Sequence, residues 1–134
     1  MITELGFQKY WKMVREDKPA MSEDLRKRLE AAVGVLGDIR VRWLIGRSQA
    51  LLESGTITKE GLEQLMRKIM REELERWLIM NEIERQGPLS VKDLSGATRL
   101  PEQTVVKHLL ALRRNGRITF AGEKENMHLY DLVR

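Results

Sequence analysis

GPLSVKDLSGATRLPEQTVVKHLLALRRNGRI, residues 87–118, holds two helix starts and two helix stops in quick succession. Gly87-Pro88 ends whatever helix precedes it, because the proline ring restricts its predecessor and removes a backbone donor. Ser90, with Asp93 three residues later, has the form of a capping box and opens a short helix through Val91, Leu94 and Ala97. Thr98-Arg99-Leu100 makes a brief turn, and Pro101 suits the first position of a second helix, where its missing N–H would have been unpaired anyway.

Two helices joined by so short a turn form a helix-turn-helix. With Val105 placed at zero and about 100° per residue, Leu109 and Leu112 fall on the same side and form the buried face. Gln103, Lys107, Leu110 and Arg114 lie opposite, with Thr104 and Ala111 beside them, so the outward strip is polar and mostly cationic. Asn115-Gly116 supplies a left-handed stop after this helix. RITFAG then reads as a strand with Ile118 and Phe120 on one face, EKEN as a hairpin turn and MHLYDLV as the returning strand. A two-stranded ribbon directly after a helix-turn-helix is a wing.

Residues 87–118 followed by NMHLYDL resemble the winged helix-turn-helix of bacterial and archaeal transcription regulators of the ArsR and MarR type. The likeness covers roughly residues 72–134. Thr104-Val105 matches a common Thr-Val of such helices, His108-Leu109 the His-Leu, and Leu112 with Gly116 the closing Leu and Gly. The resemblance implies that residues 101–115 form a recognition helix in the DNA major groove, with the ribbon near 123–126 against the flanking backbone. Val106 and Leu110 differ from the pattern, in which polar residues are usual at both places, and Glu123 and Glu125 flank Lys124 in the wing.

The distribution of charge points the same way. The whole chain carries only +4 over 134 residues. Residues 99–117 alone hold five cations against Glu102, a local +4, whereas residues 72–93 hold three cations against six carboxylates, a local −3. Cations gathered around one helix and its ends favour a phosphate-facing surface. Gln103, Thr104 and Lys107 are the expected base-edge contacts, since glutamine pairs bidentately with adenine and lysine reaches guanine acceptors. Arg99, Arg113, Arg114, Arg117 and, in the wing, Lys124 are the expected phosphate contacts.

The N-terminal half, residues 1–71, reads as wholly helical. Leu5, Phe7, Tyr10, Trp11 and Val14 suggest a short helix over 2–16 that ends before Lys18-Pro19. Ser22 is a good N-cap for a helix running to about Glu53. Along it Leu29, Ala32, Leu36, Ile39, Trp43, Gly46 and Ala50 recur at spacings of three and four, a seam for lengthwise helix packing. Gly34, Gly37 and Gly46 each cost about 1 kcal/mol against alanine in a helix interior, which close packing of another helix would offset. Gly55 fits a helix stop and Thr58 an N-cap for one long helix over Lys59–Gln86 that joins the two halves. The fold class expected is therefore mainly α: a helical region over 1–71, joined by a long helix to a winged helix-turn-helix over 72–134 with a two-stranded β wing.

Several function classes find no support in the sequence. The chain has no cysteine, which removes disulfides, thiolate nucleophiles and cysteine metal sites together and agrees with a cytoplasmic address. No apolar run is long enough to span a membrane. His108 and His128 sit in framework positions of a helix and a strand, without a nucleophile or phosphate loop, so no active site, metal site or cofactor is assigned and the protein is not expected to be an enzyme. Trp43 and Trp77 fall on apolar seams, as core or subunit-interface residues do. The expected function is a transcription regulator that binds double-stranded DNA as a homodimer through its N-terminal helices, with no effector identified. The alternative is an adaptor, or a subunit of a larger complex, whose winged helix docks on a protein through Val106 and Leu110.

Overall fold

The computed structural model describes residues 22–134, so the short helix expected over 2–16 lies outside the described residues. The described chain forms α1 (Glu23–Gly37), α2 (Ile39–Glu53), α3 (Lys59–Gln86), α4 (Val91–Thr98), α5 (Glu102–Arg114), β1 (Ile118–Lys124) and β2 (Met127–Leu132). It divides into two compact units, with the boundary between Leu74 and Glu75 inside α3. None of these helices is long and apolar enough to cross a membrane.

In the first unit Ser22 caps α1, its Oγ accepting from the Leu25 N–H at 3.2 Å. The single helix expected from here to Glu53 is in fact two. Asp38 is extended, at φ −71° and ψ 132°, and its carboxylate accepts from the N–H groups of Arg40 at 2.9 Å and Val41 at 3.4 Å. An aspartate that satisfies downstream amides competes with the helical ladder and starts a new helix in place of continuing the old one. The interruption resets the helical phase. Ala31 and Val35 of α1 and Val41 and Leu44 of α2 are buried, while Ile39, Trp43, Gly46 and Ala50 of the expected seam are exposed.

Gly55, at φ +72°, closes the turn after α2, and Thr58 Oγ1 accepts from the Gly61 N–H at 3.0 Å as α3 begins. Arg40 reaches Glu73 at 3.0 Å and Glu72 at 3.4 Å on α3. Burial lowers the guanidinium pKa, but hydrogen bonding and attraction to the two carboxylates outweigh it and leave the value raised.

The second unit has one continuous core. Ile79, Met80 and Ile83 of α3, Leu89 and Leu94 around α4, Val105, Leu109 and Leu112 of α5, and Ile118 of β1 pack together, with Trp77, Tyr130 and Leu132 against them. The capping box at Ser90 is formed, Oγ accepting from the Asp93 N–H at 3.1 Å and the Asp93 carboxylate from the Ser90 N–H at 3.2 Å. Arg99 closes α4 in the left-handed region at φ 63°. Ser95 Oγ donates to the Leu100 carbonyl at 2.6 Å and pins the turn between the two helices. Pro101 is the N-cap of α5 and not its first residue, with φ −57° and ψ 147°, and its carbonyl accepts the first helical bond, from Val105.

The end of α5 is a Schellman turn: Gly116, at φ +73°, donates to the Arg113 carbonyl, and Arg117 to that of Leu112. β1 and β2 pair antiparallel from Ile118↔Leu132 to Lys124↔Met127, and Leu89 adds a bridge to Tyr130. The hairpin turn is tighter than EKEN suggests. Only Glu125 and Asn126 make it, both at positive φ of 52° and 64°, the two-residue turn whose twist matches that of paired strands. The observed architecture is the expected one, mainly α with a winged helix-turn-helix at the C-terminal end.

Candidate nucleic-acid interface

The orientation of α5 follows from which of its side chains the core accepts. Val105, His108, Leu109 and Leu112 are buried, and Val105 and Leu112 have no exposed surface at all. Each apolar side chain so buried contributes about 1.5–3 kcal/mol. That anchoring turns Gln103, Lys107, Leu110 and Arg114 to solvent as one strip, with Val106 exposed beside it and Thr104 and Ala111 half-buried at its edge. Leu110, in the middle of the strip, is 60% exposed. Neither Lys107 nor Arg114 makes an ion pair among the described residues, so both cations are available to an outside anion.

Buried polar bonds hold the helix as well as apolar packing. His108 is 1% exposed and both of its ring nitrogens are engaged. An arginine Nε–H can only donate, so the 3.3 Å contact from Arg76 makes Nδ1 the acceptor. In the neutral ring the proton then resides on Nε2, which donates to Glu75 Oε1 at 3.0 Å. Glu75 and Arg76 are adjacent on α3, and together they fix the rotation of α5 about its own axis. His108 is thus a satisfied histidine of the fold. Its partners were not legible in the sequence, because they lie on a helix more than thirty positions away.

The cations expected at phosphates are divided among three places. Arg113 and Arg114 end α5, but Arg113 lays its guanidinium 3.8 Å from the centroid of Phe120 on β1. This cation–π contact ties α5 to the wing. Phe120 in turn lies 5.2 Å from His128 and 5.3 Å from Tyr130 between ring centroids, a row of rings along the ribbon. Arg117 leaves the strip: it follows the Schellman turn and rests 5.0 Å from the Trp77 centroid, half-buried against α3. Arg99 stands exposed at the turn before α5, and Lys124 at the wing tip between the exposed carboxylates of Glu123 and Glu125. Glu123 lies 3.7 Å from His128. The structure thus gathers Gln103, Lys107 and Arg114 on one strip, adds Arg113 at its end, and sets Arg99, Arg117 and Lys124 apart. Among the described residues no three side chains are grouped as a metal would need.

These features define the class: residues 75–134 are a winged helix whose helix α5 presents a cationic outward strip. No family model matches the chain, and no curated protein does. Among solved structures, the crystal structure of the apo-Zalpha of zebrafish PKZ is similar, with a TM-score of 0.45 and 25% sequence identity over 48% of this chain and 98% of that one.

Proposed function

We propose that the protein is a DNA-binding regulator of transcription, a cytoplasmic binding module and not an enzyme, akin to the ArsR and MarR type that its sequence resembles. The observation that carries this reading is the strip on α5: Gln103, Lys107 and Arg114 face solvent from a helix clamped in rotation by His108, and Thr104 and Arg113 border it. A helix offered in this way suits the major groove, with Gln103 and Lys107 at base edges and Arg113 and Arg114 at phosphates. The dimer expected of the N-terminal helices would set two such strips one turn of DNA apart on a palindrome.

The test is a gel shift of the full chain on random-sequence duplex at low and high salt. The reading expects binding that weakens steeply with salt, because neutralised phosphates release counterions. Absence of any shift at low salt would end it. A second reading rests on Val106 and Leu110, which are 41% and 60% exposed on the same helix and suit a protein partner. Val106→Ser and Leu110→Lys separate the two. A DNA-binding protein keeps or gains affinity for duplex, whereas an adaptor loses its partner and never binds duplex.

A further inference from the structure

Arg113 and Phe120 meet across the turn that joins α5 to the wing, with the guanidinium carbon 3.8 Å from the ring centroid. At that distance the two groups touch with no water between them. Each sits on a rigid element. Arg113 lies in the last turn of α5, next to the fully buried Leu112, and its carbonyl accepts from Gly116 in the Schellman turn. Phe120 is the third residue of a ladder that starts in the core, where Ile118 pairs with Leu132, and it faces Tyr130 on β2. A bulge follows at once, between Phe120 and Gly122, so β1 bends beyond the ring and not before it. Phe120 is 42% exposed, so burial in the core does not account for a ring at this place.

The cations of α5 differ in what holds them. Among the described residues Lys107 and Arg114 have no hydrogen bond, ion pair or ring contact, and Arg113 has only its contact with Phe120. The N–H donors of Arg113 are therefore open to an outside acceptor, while its position is fixed. A long side chain loses rotamer freedom when it binds, and one already held loses less.

We propose that Phe120 is a positioning residue: it holds the Arg113 guanidinium ready for one backbone phosphate of the duplex, which the guanidinium takes as a two-pronged donor. This role rests on the DNA reading above and names the part of the wing that serves it. The wing tip is poorly suited to phosphate, since Glu123 and Glu125 flank Lys124, and the ribbon contributes through a ring at its base. His128 and Tyr130, 5.2 Å and 5.3 Å from Phe120 between centroids, brace that ring from β2. Arg113 keeps its charge whatever residue stands at position 120. Phe120 thus governs how firmly the guanidinium is aimed and not how many charges meet phosphate.

The experiment is a double-mutant cycle in the full chain, with affinity for random-sequence duplex measured by fluorescence anisotropy across a salt series. Phe120→Leu should weaken binding by about two- to tenfold, the range set by ordering one long side chain, and should keep the wild-type salt slope because no charge is lost. Arg113→Ala should lower the magnitude of the slope by about 0.9. In the Arg113→Ala background Phe120→Leu should have no further effect, because the two residues act as one. Phe120→Tyr, which keeps the ring, should bind as wild type does. A ring that only kept the wing in shape would weaken binding equally in both backgrounds. Such additivity, or a Phe120→Leu variant with wild-type affinity, overturns the proposal.

The contact can also be read without DNA by proton resonance. The Arg113 side-chain protons nearest the guanidinium should lie upfield under the ring current of Phe120, and Phe120→Leu should return them to ordinary positions. Wild type that binds duplex but lacks this displacement overturns the role of Phe120 and leaves the DNA reading standing. Wild type that shows the displacement but binds no duplex at low salt sinks the DNA reading, and the role given to Phe120 with it.

Discussion

The two units handle their apolar residues differently. In residues 75–134 most of the helical apolar positions end in the core: Ile79 and Ile83, Leu94, Val105 and Leu112 have no exposed surface, and the bridge at Leu89 and the wing close around them, while Val106 and Leu110 stay outside. In residues 22–74 the buried set is small, Ala31, Val35, Val41, Leu44, Leu62 and Ile69, while Leu25, Ile39, Trp43, Ile45, Leu52 and Met70 face outward. The C-terminal unit gives its exposed positions mainly to polar and cationic groups. The N-terminal unit keeps more of its large apolar side chains at the surface of the described residues.

The largest effect that would test this contrast is in the C-terminal core. Leu112→Ala should cost about 2–5 kcal/mol, since a fully buried leucine leaves a cavity among rigid neighbours. Urea unfolding followed by circular dichroism measures it. A loss below about 1 kcal/mol would mean that this core is looser than its burial indicates. Next in size is the polar clamp. His108→Leu keeps the volume but removes the acceptor of the Arg76 Nε–H and the donor to Glu75, at a cost of about 1–3 kcal/mol. If α5 is held in rotation by this pair, the variant should also lose DNA affinity at temperatures where it remains folded.

A smaller effect is expected at the break between α1 and α2. Asp38→Ala removes the cap on Arg40 and Val41 and should destabilise the N-terminal unit by about 1 kcal/mol. Thermal unfolding by circular dichroism reads the change. An increase in helix content on substitution would show the two helices fusing. Least of all should stability respond to Lys107→Ala or Arg114→Ala, within about 0.5 kcal/mol, because both side chains are exposed. Their effect belongs to binding: a variant that no longer neutralises one phosphate should show a salt slope smaller by about 0.9. Unchanged affinity and slope in both variants would remove the strip from the proposed interface.

The sequence alone determined the features that depend on neighbours a few positions apart. The capping box at Ser90 and Asp93, the stop at Gly116, the start of α3 at Thr58 and the separation of the faces of α5 all rest on spacings of three or four residues, and local backbone chemistry decides them before any tertiary contact forms. The break at Asp38 was also written locally, in a Gly-Asp pair, but it was masked by an apolar rhythm that runs unbroken across it. Only the tertiary structure decided which face of α2 meets the core, because a register of Ile39, Trp43 and Gly46 and one of Val41 and Leu44 are both helical stripes, and the pairing with α1 selects between them. It alone joined Arg113 to Phe120, turned Arg117 onto Trp77 and set Glu75 and Arg76 on the two sides of the His108 ring. Those contacts depend on distances across the fold, which close-packing sets and spacing along the chain does not encode.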